Sequence, residues 1–419
     1  MCRIERLFGI RGRRKVLGEE EVMKLSGVRP LLGAACLLVL AAQAVIACPR
    51  VVCWGSGGAL YSCSGSGCSS GCSQPLAIPG LTLGNDAVSC VYVSSSQPVR
   101  YLDGLLLYRT PAVGFPSADG SWSFYLTYNN RPADAGASVD EHFGLNWYPS
   151  IPRLEFRPSG AILLIADGHT VAEFVWDAGQ GKYLAKHGVR AEITLQSGYY
   201  RLRGPNGGVA DFYATAVNRG KLGQTTSPYG RQWNFSYGGG DDGRGGTLLS
   251  QIAEPGGYGW TFQWSSLRAS RIEVQLGGTP LATIRLEYYE YEERDDGPDG
   301  PKTGPKRGSA GDLKRITIDD DPSDDSSPER EIYFRYWVGS YDAEQNPGQT
   351  HDLRMVVGPM NGKVAAKEQE GAGLDSISTE TLYANKYFDI YVQYDQQHRV
   401  WKEEVHNGAC PCGGGGQIG

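Results

Sequence analysis

The sequence predicts an all-β fold: repeated antiparallel hairpins that add edge to edge into one extended sheet. Three observations predict it. The 419 residues include 58 Gly, 24 Tyr and 9 Trp but only 4 Met, and aromatics in short alternating runs between glycines favour strands and tight turns. No long stretch of helical apolar spacing follows residue 50. The third observation is a repeat. In "GKLGQTTSPYGRQWNFSY" (Gly220–Tyr237) and "GTLLSQIAEPGGYGWTFQW" (Gly246–Trp264), Pro228, Gly230, Phe235 and Tyr237 recur 27 residues later as Pro255, Gly257, Phe262 and Trp264.

The repeat has a physical grammar. A short strand (Leu-x-x-Ile/Val) runs to a Pro-x-Gly or Asn-Gly turn, and an aromatic strand returns with rings at i and i+2 on one face. One such hairpin cannot bury its apolar face alone, so copies must zip together. "GDLKRITIDDDPSDDSSPEREIYFRY" (Gly311–Tyr336) repeats it with a longer acidic turn. "HDLRMVVGPMNGK" (His351–Lys363) starts another copy, and "YVQYDQQHRVWKEE" (Tyr391–Glu404) is the last clear one. There Ile390, Val392 and Tyr394 are expected on one face, with reversal at Asp395–His398.

The segments follow in order. Residues 1–47 read as a signal segment: Leu31–Ala42 is an apolar run too short to span a bilayer, with Lys24 and Arg29 as its positive flank. Translation is expected to start at Met23, because "GEEEVM" back-translates to a purine-rich ribosome-binding sequence. Ala42-Gln43-Ala44 offers a cleavage site, while Val45-Ile46-Ala47-Cys48 resembles a lipobox that would lipidate Cys48; ordinary cleavage is the expectation. Residues 48–90 form a Cys/Ser/Gly-rich region that only cross-links could shape. Cys48, Cys53, Cys63, Cys68, Cys72 and Cys90, with Cys410 and Cys412 near the end, are the disulfide candidates; six cysteines allow 15 pairings, among which sequence does not choose. Residues 91–180 are strand-like, 181–294 carry the repeats, 295–330 hold a flexible polar insertion (Asp295–Gly311) and the acidic turn, and 331–419 continue the repeats. The end at "CPCGGGGQIG" lacks a capping element, so a truncated chain is expected.

Composition bounds the function. A net charge of −6 with 21% charged residues argues against a nucleic-acid partner, whose affinity comes from Lys and Arg on phosphates. No transmembrane helix is expected in the mature chain. Gly67-Cys68-Ser69-Ser70-Gly71 matches a nucleophile elbow but has neither the strand nor the helix that the elbow needs. Gly238–Gly243 matches G-x-G-x-x-G, yet another strand follows instead of a helix. Asp319–Asp325 lacks the glycine and distal Glu of a calcium loop. The six histidines (142, 169, 187, 351, 398, 406) are scattered. No catalytic, metal or cofactor site is expected. Trp233, Trp260, Trp264 and Trp401 are candidate glycan-stacking rings; packing against neighbouring strands is the expectation for each.

"YVQYDQQHRVWKE" and the G-x-L…P-x-G…F-x-Y units resemble the YD-repeat (Rhs-type) proteins of bacteria. "GSWSFYLTYNNR", "HFGLNWYPSIPRLEF" and "DGHTVAEF" look like the region that leads into such repeats, so the resemblance spans roughly Val91 to Val405. The units here are irregular, their spacing is longer than the family's, and neither the family's aspartyl self-cleavage region nor a toxin domain appears. The resemblance implies a shell that encloses or presents a C-terminal effector, missing from this chain, or a cell-surface protein in contact with glycans. An exported, non-enzymatic scaffold, secreted or held at the cell surface, is expected; a carbohydrate-binding adhesion module is the alternative.

Overall fold

The computed structural model describes residues 51–54, 60–63, 89–92, 99–100, 105–115, 122–130, 141–166, 171–186, 190–295, 306–323, 329–371 and 373–406. The signal segment, Cys48, Cys68, Cys72, Cys410, Cys412 and Ser69 lie outside them. The backbones of Cys53, Cys63 and Cys90 fall in a three-stranded sheet of Leu60–Cys63, Val51–Trp54 and Ser89–Tyr92, with Cys63 opposite Val51 and Cys53 opposite Tyr61. No helix among the described residues is long and apolar enough to cross a membrane.

The fold is all-β. Among the described residues, eighteen antiparallel strands from Arg153–Phe156 to Val400–Val405 make one sheet in unbroken chain order. A first excursion leaves it between Thr279–Tyr288 and Leu313–Asp319, where Glu293–Arg294 and Lys306–Gly308 form a separate ribbon. The two aligned repeats fold as expected. Leu222–Thr226 pairs with Gln232–Asp241, and Thr247–Ala253 with Tyr258–Ser265. Asp395–His398 also reverses as expected, and Ile390, Val392 and Tyr394 are all buried.

One five-residue turn recurs through the sheet. In Ser227–Arg231, Ser227 N–H donates to Arg231 O (2.8 Å) and Gly230 N–H to Ser227 O (2.9 Å). Glu254–Tyr258, Gly204–Gly208 and Arg157–Ala161 repeat this pair of bonds. Each has Pro second and Gly fourth, and Gly160, Gly207, Gly230 and Gly257 all have φ of 83–84°. Proline pre-sets the first corner, and glycine accepts the left-handed fourth position without strain.

The sheet also returns on itself. Leu154 N–H, in the first strand, donates to Gly220 O (2.8 Å), and Arg153 bridges to Lys221. This closure encloses Ile162, Leu164, Phe174, Ile193, Leu202, Phe212 and Leu222, all fully buried.

Elsewhere the sheet's apolar face is covered by the residues that precede it. Val99–Arg100, Leu105–Arg109, Leu126–Asn129 and Trp147–Pro149 form a second sheet of four strands. Trp147 of this sheet and three rings from the segments around it meet those of the repeats: Trp122 on Trp260 (4.8 Å between centroids), Phe124 on Phe262 (6.2 Å), Phe143 on Trp264 (5.6 Å) and Trp147 on Phe334 (4.7 Å). Buried aromatics dominate core energetics, and edge-to-face pairs add roughly 0.5–1.5 kcal/mol each beyond burial.

Two expectations fail locally. Asn361-Gly362 is not a hairpin turn but part of a helix, Pro359–Glu368. Proline occupies its first turn, Ala365, Ala366 and Lys367 are good helix formers, and Gly362 lies where a Cβ would crowd Leu374. The strand Leu353–Val357 therefore meets its partner, Ile390–Tyr394, only after a helical excursion. The polar insertion is also anchored at its ends. Asp295 joins Arg307 (2.6 Å) and Arg335 (3.1 Å), and all three side chains are nearly fully buried.

Gly220 tests the closure. A Cβ there would overlap the Leu154 carbonyl oxygen, whereas one at Gly230 meets nothing, and both have φ near 84°. Gly230→Ala should cost about 1–2 kcal/mol, the left-handed penalty alone. Gly220→Ala should cost clearly more in the same chemical-denaturation series. Equal losses would contradict the closure.

Candidate functional site

A cleft of about 310 Å³ opens where residues 141–155 cross the repeats. That is the lower end of the range usual for small-ligand sites, and it lies at a junction of two sheets, a common place for them. Phe143, Ile151 and Leu154 line it together with Val217, Tyr237, Leu248, Leu249 and Trp264. The backbone fixes this lining. Leu154 is pinned to Gly220, and His142 O accepts the Ala269 N–H (2.9 Å). Trp264 Nε1–H donates to Leu249 O (2.6 Å), and its ring lies where a side chain at Gly239 would stand.

The acids in the cleft are paired with cations. Arg153 meets Glu141 at 2.8 Å, with Arg244 at 3.9 Å from the same oxygen. Lys221 Nζ donates to Asp242 (2.5 Å) and to Thr247 O (2.8 Å). Burial alone would raise the Asp242 pKa. The Lys221 bond and the N–H groups of Arg244 and Gly246 outweigh it and hold the carboxyl at about 2, so it stays ionised. Burial pushes the Tyr237 phenol well above its ordinary range. Each acid is thus engaged by a cation. Such an arrangement suits recognition through paired donors and acceptors rather than proton transfer. Among the described residues, no three His, Cys, Asp or Glu side chains stand close enough to hold a metal ion.

The four candidate stacking rings do not form one platform. Trp233 and Trp260 are 1% and 0% exposed, because their strands turn those positions toward the covering layer. Trp260 Nε1–H donates to the Glu254 carboxylate (2.5 Å), whose pKa burial raises despite that bond. Trp264 is half-buried and lines the cleft, while Trp401, on the last strand, is 58% exposed. The glycine run Gly238–Gly240 belongs to the strand Gln232–Asp241, and the next strand follows it. At the acidic turn Asp319 accepts the Asp321 N–H (3.1 Å), while Asp324 and Asp325 lie outside the described residues.

Sequence inspection missed Glu141, Lys221 and Asp242 as a group. Glu141 lies far along the chain from Asp242 and Arg244, and only the crossing of the two sheets joins them.

No family model and no curated protein sequence matches the chain. Among solved structures, it is similar to a chain of a TcdB2-TccC3-Cdc42 complex at 14% identity, over 61% of this chain and 15% of that one, with a TM-score of 0.31. It is also similar to the N-terminal domain of effector protein SpvB from Salmonella typhimurium at 10% identity, over 55% of this chain and 93% of that one, with a TM-score of 0.28. A third match, a Photorhabdus luminescens Tc holotoxin pore, has 14% identity over 61% and 15% of the two chains and a TM-score of 0.28. The matched part thus spans a small fraction of two of these three proteins, and scores this low do not establish a shared fold.

Burial separates the tryptophans experimentally. Trp260→Ala should destabilise by about 3–5 kcal/mol, as for other fully buried large aromatics. Trp401→Ala should stay within about 0.5 kcal/mol. Guanidinium unfolding measures both, and a large loss at Trp401 would show that its face is covered.

Proposed function

We propose that the chain is a non-enzymatic scaffold of the YD-repeat (Rhs) type, exported, and serving as part of the wall of an effector-delivery protein or of a surface assembly. One observation carries this: eighteen strands pair in chain order, so each hairpin depends on its neighbours and the repeats act as a single wall. The resemblance of Tyr391–Glu403 and the G-x-L…P-x-G units to that family supports the same reading. In it, the effector is a partner beyond Gly419, and the chain meets no nucleic acid.

The coding sequence beyond Gly419 tests delivery. Further hairpin repeats followed by an unrelated domain are expected; an immediate stop codon would contradict delivery and leave a self-contained surface scaffold.

A second reading, carbohydrate contact, draws on Trp264 beside paired charges in the cleft and on the exposed Trp401. A glycan array with Trp264→Ala and Trp401→Ala variants separates the two. Binding lost in a folded Trp264 variant would favour carbohydrate contact; no binding to any glycan leaves the scaffold.

A further inference from the structure

The left-handed position that glycine fills in the repeated turns is filled twice by histidine. Gly311, just before the strand Leu313–Asp319, has φ 92°, and its counterpart before Leu353–Val357 is His351 at φ 76°. In the last turn, Asp395–Arg399, the place of Gly230 and Gly257 is taken by His398 at φ 58°. A non-glycine residue there is disfavoured, so these rings need a compensating contact, and both have one. His351 Nδ1 lies 2.8 Å from Asp312 Oδ1, and His398 Nδ1 lies 3.1 and 3.2 Å from the two Asp352 oxygens. Asp312 and Asp352 are 0% and 3% exposed. Each carboxylate also accepts a backbone N–H from three residues earlier: Ser309 for Asp312 and Gln349 for Asp352.

The same two histidines hold the covering layer. Tyr128 O–H donates to His351 O (2.8 Å) and accepts the Leu353 N–H (2.9 Å). Asn130 Nδ2–H donates to His398 O (2.6 Å), while its Oδ1 accepts the Leu106 N–H (2.7 Å). The strand Leu126–Asn129 is thus fastened to the repeats at the two places where histidine replaces glycine.

We infer that His398 and Asp352, beside the His351–Asp312 pair, form a proton-operated latch that fastens the covering layer to the repeat sheet, firm when the His398 imidazole is protonated and loosened when it is not. The surrounding groups are consistent with that direction. Asp312 faces His351 and, at longer range, Arg268; Asp352 faces His398 and His351; Asp395, on the last turn, adds its charge to His398 while its carboxylate holds Arg399. Tyr128, Tyr336 and Tyr394 close the site, and burial holds their phenols neutral. The Asp352 bond raises the His398 pKa against the opposing effect of burial; burial raises those of Asp312 and Asp352 despite their histidine partners. His398 therefore holds its proton more tightly folded than unfolded. Its stabilisation is present below the unfolded pKa, about 6.5 for histidine, and is lost as pH rises through the folded value.

Two measurements on the full chain test the latch. The His398 ring, assigned in NMR spectra by its absence from an Asp352→Asn/His398→Asn variant, should titrate above about 6.5; asparagine tolerates the left-handed backbone and removes both charges. Hydrogen-exchange protection of residues 122–130, corrected for the intrinsic pH effect, should fall about tenfold or more between roughly pH 6 and pH 8.5, one pKa unit being a factor of ten. In the variant it should stay level. Titration at or below 6.5, level protection in the wild type, or an equal fall in the variant would overturn the proposal. If the variant does not fold, the wild-type titration, assigned through a His398→Asn single variant, and the wild-type exchange decide it.

Discussion

A sheet with one apolar face must have that face covered, and the rest of this structure depends on how the chain covers it. Water would otherwise meet a continuous band of Phe, Trp, Tyr, Ile and Val, each worth roughly 1.5–3 kcal/mol when buried. The first strands solve the problem by returning on themselves at Leu154 and Gly220. The later ones are covered by the chain's own residues 105–115, 122–130 and 141–150, whose Trp122, Phe124, Tyr128, Phe143 and Trp147 match the rings beneath them. In this part of the wall the inner face is therefore already filled.

Local chemistry sets the period, and excursions are tolerated where they are tied down. The Pro-x-Gly turn recurs because it solves the same reversal each time. Between Tyr288 and Leu313, and again between Val357 and Ile390, the chain leaves the sheet and returns in register. The two excursions share one anchor: Asp295 from the first binds Arg307, Arg335 and the Thr379 N–H, and Arg335 in turn donates to the carbonyls of Leu374 and Ile377 in the second. A buried carboxylate between two guanidiniums loses heavily if one partner goes, about 3–5 kcal/mol. The anchor therefore specifies where the excursions dock more than it adds net stability.

Much of the sheet was legible because its information is local. Alternating aromatics and Pro-x-Gly spacing mark Leu222–Trp264, and Tyr391–Glu404 reads as a hairpin from its pattern alone. Asn361-Gly362 misled because the same dipeptide serves a turn or a close helix contact, and only Leu374 and Asp389 decide which. Asp295 and Arg307 looked like loop residues because, apart from each other, their partners lie 40 or more positions away in Arg335 and in the segment from Leu374 to Thr379. The cleft was illegible for the same reason, and of the four tryptophans the sequence could not say which two the covering layer would bury.

A wall filled by its own leading segment requires the covering layer and the repeats to be one cooperative body. Native-state hydrogen exchange across a denaturant series measures this directly. Residues 105–109, 122–130 and 141–150 should open with the same free energy as strands 258–265 and 330–336, the behaviour of one cooperative unit. A covering layer that exchanges freely while those strands stay protected would contradict it.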